Sequence, residues 1–395
     1  MGIVVGIDAS RNRSGGAKAH LVGLLGAAEP AQFGISHVHI WSSRSLLQAL
    51  PDPPWLTKHN PPPLDGSLLQ EAWWQLTALP GEMRRLGCDI LLSTDAGTIG
   101  RYQPSVVMSR DMLPYAPDEM RRYGLSKARL RTALLRHIQS SSMKRATAVI
   151  FLTEFASRAI QAVTGRLHNF EIIPHGVGEA FRQTRNGAHW PASGDGEVRC
   201  LYVSNADLYK HQWMVVRAIS DLRQRGHNVS LTLAGGGGGE AKRLLDEELA
   251  RSDPGRRFVR EVGAVAHEKV PALLVEADLF VFASSCENMP NTLLEGMASG
   301  LPVACSDRGP MPEVLQDGGQ YFDPENPATI AAAIERIIVD ADLRERIARR
   351  AKERSELYSW QRCARETWSF LRANAPAASG QMALNRDASE ARHAP

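Results

Sequence analysis

The chain is poor in cysteine: five in 395 residues, and Cys88, Cys200, Cys286, Cys305 and Cys363 never form a C-x-x-C pair. That argues against a disulfide framework or a cysteine-type structural zinc site and suits a reducing cytoplasm. No apolar run approaches the roughly 18 residues of a membrane span. The N-terminus has no basic leader and reaches Asp8 after a few apolar residues, so no secretory signal is expected. G-x-G-x-x-G and the P-loop G-K-[ST] are both missing. Asp340-Ala341-Asp342 resembles a D-x-D metal motif but stands at an expected helix start, where capping is its role, so no metal site is expected. A net charge of +3 is too small for a general polyanion binder, and no nucleic-acid partner is expected.

What is present is apolar strand after apolar strand. Hydrophobic content of 43% supplies two cores at this length. Gly2–Asp8 reads as a first strand, leading through the glycine-bearing loop Ala9–Ala17, with Arg13 and Ser14 at its centre, to a helix from about Lys18. Ile35–Trp41, Asp89–Ser93, Ser105–Ser109, Ala148–Leu152 and Phe170–Pro174 follow as strands. Residues 51–66 are rich in proline and read as an irregular loop. A polar segment, 183–197, reads as a linker. A second series starts at Val198–Ser204 and continues through Val229–Ala234, Phe258–Val262, Leu279–Ala283 and Pro302–Ser306. Strands alternating with helices in both halves imply an α/β fold of two Rossmann-like, doubly wound parallel-sheet domains. The expected boundaries are 1–178, 179–358, a terminal helix over 359–372, and a tail over 373–395 without hydrophobic pattern, expected to be disordered.

The chemistry concentrates in Cys286-Glu287-Asn288-Met289-Pro290-Asn291-Thr292-Leu293-Leu294-Glu295-Gly296, directly after the apolar run Leu279–Ala283. Strand, short loop and helix N-terminus is where α/β proteins bind anions, because the first N–H groups of a helix are unpaired and its dipole is positive there. Two carboxylates beside an anion conflict with that. Like charges about 4 Å apart at an effective dielectric near 20 cost on the order of 4 kcal/mol. The conflict disappears if Glu287 and Glu295 address hydroxyls, since a carboxylate accepts two donors at once. A sugar, a diphosphate and a ribose in line have that layout. Taken alone, the pair is also compatible with two surface glutamates on an amphipathic helix.

Other segments bear on the choice. Lys210 lies just past the carboxyl end of Val198–Ser204, where it can neutralise a phosphate leaving group or simply be a solvated loop lysine. Gly235–Gly239 is a phosphate cradle or a flexible turn, and Gly263, followed by His267, places backbone near a base. His37 and His39 alternate on a strand face, as packing rather than metal ligands. Trp73-Trp74 form core or the wall of an acceptor groove. Residues 119–145 carry eight Lys or Arg against Glu119, with Ser126 capping a helix in which Leu130, Leu134 and Ile138 recur every four residues. That stretch is either a solvated face or a dock for anionic lipid.

Together these pieces resemble the retaining GT-B glycosyltransferases of family 4, across nearly the whole ordered chain. The resemblance rests on Gly15-Gly16, Ile173-Pro174-His175-Gly176-Val177, Lys210, Gly263, the glutamate pair with Ala298-Ser299-Gly300-Leu301-Pro302-Val303, and Ser359-Trp360. It implies a terminal helix crossing back to the first domain and a metal-independent transfer that keeps the anomeric configuration, with the leaving phosphate helping to deprotonate the acceptor. It implies that Glu287 and Lys210 are catalytic. Donor binding would involve Gly15, Gly16, Asn205, Lys210, Gly263, Glu287, Asn288, Met289, Pro290, Asn291, Thr292, Leu293 and Glu295. Within that set, the N–H groups of Asn291, Thr292 and Leu293 would face the diphosphate and Glu295 the ribose. Two positions depart from the family. Asn205 stands where many relatives have arginine, and Arg110 stands where many have a histidine; Arg110 and Asp111 are assigned to the acceptor side. The segment Asp111–Tyr115, with Tyr209–Gln212, is similar to a bacterial subgroup building O-antigen and other surface polysaccharides. That implies a GDP- or UDP-linked sugar donor, GDP-mannose first, and a glycan or polyprenyl-linked acceptor, at the cytoplasmic face of the membrane. Nucleotide-sugar epimerase, phosphorylase, or a non-catalytic sugar-nucleotide binder are the competing readings.

Overall fold

The computed structural model describes residues 2–12, 15–27, 29–182, 190–191 and 196–376. Arg13, Ser14, most of the expected linker and the tail from 377 therefore lie outside the described residues. The strands are β1 Ile3–Asp8, β2 Ile35–Trp41, β3 Leu56–His59, β4 Ile90–Ser93, β5 Ser105–Met108, β6 Ala148–Phe151, β7 Phe170–Ile172, β8 Val198–Val203, β9 Val229–Ala234, β10 Val259–Gly263, β11 Leu279–Phe282, β12 Val303–Ser306 and β13 Gly319–Phe322. The helices are α1 Gly15–Ala27, α2 Arg44–Leu47, α3 Leu68–Thr77, α4 Leu79–Arg85, α5 Pro117–Arg121, α6 Lys127–Arg145 and α7 Glu154–Thr164 in the first half. The second half has α8 Gln212–Gln224, α9 Gly239–Ser252, α10 Val270–Glu276, α11 Asn291–Ala298, α12 Met311–Leu315, α13 Pro327–Val339, α14 Ala341–Ser355 and α15 Trp360–Asn374.

Two parallel sheets result, in the orders β3-β2-β1-β4-β5-β6-β7 and β10-β9-β8-β11-β12-β13. Strands β4, β5, β6, β11 and β12 are buried along their whole length, as a sheet covered by helices on both faces requires. In each sheet the strand order reverses at the first strand, β1 or β8, which opens a crevice at the carboxyl ends of β1/β4 and β8/β11. The two halves meet around those crevices.

Several local expectations change. The proline-rich segment 51–66 is not wholly irregular: Leu56–His59 adds to β2 as an edge strand, the one place where flanking prolines cost no ladder bond. Helix α1 starts at Gly15, so the glycine pair forms its first turn rather than the loop before it. In the glycine run, a Cβ on Gly235 would lie 2.0 Å from the Ser204 carbonyl and one on Gly237 2.5 Å from the Ala206 Cβ, so close chain approach accounts for both. Trp74 is buried beside Trp41 and Leu64, whereas Trp73 points outward. His39 Nδ1 lies 3.0 Å from His59 Nε2, and His37 Nε2 2.8 Å from Thr57 Oγ1, which makes them packing partners of β2 and β3. Asp340 accepts a bond from the Leu343 N–H at 2.9 Å and caps α14.

After α14 the chain returns to the first half. Ser359 accepts from the Arg362 N–H and starts α15, which packs on α1. The indole of Trp360 fills the space a side chain on Gly23 would need, and Val177 pairs with Ser359 as a β-bridge. A Cβ on Gly176 would come within 2.2 Å of the Trp360 backbone nitrogen. Backbone cannot move aside as a side chain can, so Gly176→Ala is expected to cost about 1–3 kcal/mol. Gly26→Ala, where no atom lies within 4 Å of the new methyl, is expected to be neutral or stabilising. Urea denaturation of the two variants checks the contrast.

Candidate functional site

Lys210 ends a 3₁₀ turn, Leu208–Lys210, after β8. The Tyr202 hydroxyl donates to the Lys210 carbonyl at 2.7 Å. His211 takes the left-handed conformation (φ 49°) and its Nε2 sits 2.8 Å from Ser285 Oγ. A left-handed non-glycine residue is strained and persists only where its surroundings hold it, as this bond does. Because β8 and β11 are neighbours, this turn meets the loop after β11, and the Lys210 ammonium pairs with the Glu287 carboxylate. Both side chains are largely covered, and the ammonium lies near the rings of Tyr209 and Phe282.

Helix α11 follows. A Cβ on Gly296 would stand 2.5 Å from the Phe280 ring, so this glycine lets the helix lie flat on β11. The Asn291 N–H is already bonded to the Met289 carbonyl at 3.0 Å. The N–H groups of Thr292 and Leu293 have no acceptor among the described residues. The donor array at this terminus is therefore two N–H groups rather than the expected three.

First-half residues close over the same point. Gly16 comes to 3.4 Å (as a Cβ) from Asn291 Nδ2, and His175 Nδ1 lies 3.2 Å from Asn291 Oδ1. Asn288 faces the first half: its amide reaches Ser109 Oγ and the Asp111 carbonyl, both at 3.4 Å, and its carbonyl accepts from Thr153 Oγ1 at 2.9 Å. Met289 and Pro290 are buried, and Cys286 packs with Met112 and Tyr115. The Glu313 carboxylate accepts the first two N–H groups of α7, from Glu154 and Phe155, each at 2.8 Å. One half thus caps a helix of the other.

Glu295 is buried one turn into α11. His267 Nε2 lies 2.7 Å from its Oε1, while Oε2 is buried with no partner among the described residues. Burial raises the Glu295 pKa, and the hydrogen bond to Glu295 raises that of His267. Phe181 packs against the imidazole at 5.1 Å between ring centroids. Gly263, in the left-handed region at φ 69°, opens the loop that delivers His267.

Arg110 stands at the carboxyl end of β5, with no hydrogen bond or ion pair among the described residues, and burial lowers its pKa. Its charge bears on two buried, stacked imidazoles, His20 and His175, whose centroids are 4.5 Å apart. Burial keeps both neutral: His175 falls to about 3 and His20 well below its ordinary value. Asp111 is raised by burial and by Asp95, and accepts from Gln139 at 2.7 Å. Asn205 is exposed beyond β8. Among the described residues nothing lies within 4 Å of a Cβ on Gly15. Among the described residues no three His, Cys, Asp or Glu side chains are placed to hold a metal.

Two sheets facing a cleft match solved GT-B structures. Anabaena HepE in complex with UDP and glucose superposes with a TM-score of 0.68 at 18% identity, covering 93% of this chain and 98% of that one. Sucrose-phosphate synthase from Thermosynechococcus elongatus gives 0.70 at 17% identity, covering 98% and 100%. The fold is GT-B. Residues 191–354 match the family model described as Glycosyl transferases group 1. That segment holds Lys210, His267, both glutamates and α11. Among curated proteins, the glycogen synthase of Mycobacterium tuberculosis is 32% identical over 206 residues, 50% of this chain and 49% of that protein. The O-antigen chain mannosyltransferase B of Escherichia coli is 34% identical over 110 residues, 28% and 29% respectively. This chain spans at most about half the length of these relatives.

The sequence puts the Gly263 backbone near a base, with His267 following, but does not join His267 to Glu295 or single out His20 or Glu313. A separation of 28 residues between His267 and Glu295 carries no periodic signal. His20 offers a test. Among the described residues both its ring nitrogens are buried without partners, so His20→Phe keeps a stacked ring and loses no bond seen there. Below about pH 6.5 the unfolded chain protonates this histidine and the native chain does not, so it lowers stability as pH falls. His20→Phe is expected to match or exceed the parent's thermal midpoint at pH 7 and to lose less between pH 7 and pH 5, followed by scanning calorimetry.

Proposed function

We propose that the protein is a retaining, metal-independent hexosyltransferase, moving mannose from GDP-mannose to a growing glycan or lipid-linked oligosaccharide in surface polysaccharide synthesis of the O-antigen kind. The observation that carries the reading is the α11 terminus: two unengaged N–H groups flanked by Glu287, paired with Lys210, and Glu295, paired with His267. A diphosphate fits the N–H pair and the positive dipole end. Unpartnered Glu295 Oε2 would accept the ribose hydroxyls. Glu287 would accept hydroxyls of the sugar ring on the far side, and Lys210, shared with Glu287, would turn its charge to the leaving phosphate. Arg110, a buried cation with no hydrogen bond or ion pair among the described residues, though Asp95 and Asp111 act on its charge, would add the charge that Asn205 does not supply. The acceptor oxygen would attack the anomeric carbon as its bond to the phosphate oxygen breaks, with the acceptor proton passing to that oxygen.

In this reading residues 1–178 serve the acceptor and residues 179–358 the donor, and α15 ties the second to the first. The O-antigen mannosyltransferase relative supports the sugar and pathway, whereas the UDP in HepE makes a UDP-sugar the alternative donor. The basic stretch 119–145 would meet an anionic membrane at its cytoplasmic face; no described helix is long and apolar enough to cross one.

A thermal-shift screen of GDP-, UDP- and ADP-sugars identifies the donor, since a ligand at 100 times its Kd adds about 2.7 kcal/mol. With that donor, Lys210→Ala and Glu295→Gln are each expected to lower transfer on the order of 100-fold or more with the fold retained. Normal transfer by both variants contradicts the site. An isomerised donor in place of free nucleotide plus glycoside makes the protein an epimerase, and binding without transfer to any acceptor makes it a binder.

A further inference from the structure

Asp8, Arg11, Asp95, Arg110 and Asp111 stand together at the carboxyl ends of β1, β4 and β5, where the crevice of the first sheet opens. They are not equally engaged. Asp8 is buried and saturated: Oδ1 accepts from the Ser10 N–H at 3.1 Å and its hydroxyl at 2.6 Å, and Oδ2 from Gln75 at 2.8 Å and Thr98 at 3.4 Å. That network fastens the loop after β1 to α3 and to the loop after β4. Asp111 is held by Gln139. Asp95 is different. Its Oδ1 accepts the Gly97 N–H at 2.6 Å and lies 3.7 Å from Arg11 Nε, while Oδ2 accepts no hydrogen bond among the described residues. Arg11 donates none there either, although its Nε is buried. Each of the two side chains keeps 24% of its surface open.

Local sequence makes room for this pair. A Cβ on Gly97 would lie 2.7 Å from Asp95 Oδ1 and 2.9 Å from Arg11 Nε, so a glycine is needed to leave both in place. The pair is also close to the second half. Asn288, the neighbour of Glu287, reaches the Asp111 carbonyl, and the charges of Asp95 and Arg11 both act on Asp111. On the other side, Asn12 is buried with both amide atoms unpartnered among the described residues. It borders a cavity of about 450 Å³ that Lys18, Ser43, Ser45 and Asp65 also line. Lys18 is near enough for its charge to act on His267, the partner of Glu295.

Charge decides what such a crevice accepts. A phosphate-bearing acceptor calls for an excess of cations. With Arg110 given to the leaving phosphate of the donor, the described residues here set Arg11 and Lys18 against Asp65, Asp95 and Asp111. Each carboxylate about 4 Å from a phosphate charge costs on the order of 4 kcal/mol at an effective dielectric near 20. Burial and Asp95 push Asp111 toward its protonated form, which brings the balance level but not positive. A neutral sugar meets no such cost. A carboxylate accepts two adjacent hydroxyls at once, and a guanidinium beside it donates to their oxygens.

We infer that Asp95 and Arg11 bind a vicinal diol on the terminal sugar of the acceptor, and that the cavity at Asn12 holds the preceding sugar. The acceptor end is then an uncharged glycan rather than a polyprenyl phosphate. This rests on the transferase reading and deepens it: the reaction extends a chain, and another glycosyl transfer must already have installed the sugar that is extended.

The test uses the full chain with neutral probes, methyl α-D-mannopyranoside, methyl α-D-glucopyranoside and α-1,3-mannobiose, and with farnesyl phosphate as a short polyprenyl phosphate. Saturation-transfer NMR in the presence of GDP or UDP is expected to show a neutral probe bound more tightly than farnesyl phosphate. Asp95→Asn keeps an oxygen for the Gly97 N–H and is expected to weaken that binding at least tenfold; Arg11→Gln, the second variant, is expected to do the same. In transfer assays with the donor found by thermal shift, both variants are expected to raise the acceptor KM at least tenfold. The kcat is expected to stay within about threefold and the donor Kd within about twofold of the parent, whereas a structural lesion would move the donor Kd as well. The inference is overturned if no neutral probe binds, if farnesyl phosphate is the better acceptor, or if both variants keep the parent's acceptor KM. A fall in kcat at unchanged KM also overturns it, because the pair would then act on the chemistry and not on acceptor binding. The transferase reading fails by a separate result, no binding of any nucleotide sugar, and NMR still reads glycoside binding at Asp95 in that case.

Discussion

The structure turns on one electrostatic constraint: a helix N-terminus with two N–H groups unengaged among the described residues has a glutamate on either side of it. An unscreened carboxylate at each flank would cancel what the dipole and the free N–H groups offer. The protein resolves this by giving each glutamate its own partner. Glu287 is held by Lys210 and Glu295 by His267. Pairing leaves each carboxylate able to accept hydroxyl protons without presenting a bare charge to a phosphate. It also places both partners on turns at strand ends, so the positions of all four side chains follow from β8, β10 and β11.

The second half does not complete the site alone. Gly16 and His175 press on Asn291, Ser109 and Asp111 engage Asn288, and Thr153 holds the Asn288 carbonyl. Glu313 answers from the other direction by capping α7. Residues 286–291 are therefore a seat for the first half as well as the approach to α11. The buried histidines fit the same picture. His20 and His175 stack neutral beneath the junction, where a charged side chain would sit against Arg110.

Much of this was legible in the residues. Strands buried on both faces read as near-continuous apolar runs, so β4, β6, β11 and β12 were visible, and β1 and β8 nearly so; Lys210, Glu287 and Glu295 stood out by their place after such strands. Pairings were less legible. Lys210 and Glu287 are 77 residues apart, and Glu313 and Glu154 159 apart, and only sheet order and the docking of the two halves bring them together. Strand β3 was hidden because edge strands tolerate the flanking prolines that rule out a central one. The engagement of the Asn291 N–H by Met289 depends on a local turn that the sequence of Pro290 and Asn291 does not specify.

A crystal structure with a nucleoside diphosphate, GDP and UDP tried in parallel, tests the central claim most directly. The diphosphate is expected against the N–H groups of Thr292 and Leu293, with ribose hydroxyls on Glu295 Oε2 and His267 still on Oε1. A diphosphate lodged instead at the Gly235–Gly239 turn, or a ribose that leaves Glu295 untouched, would contradict it.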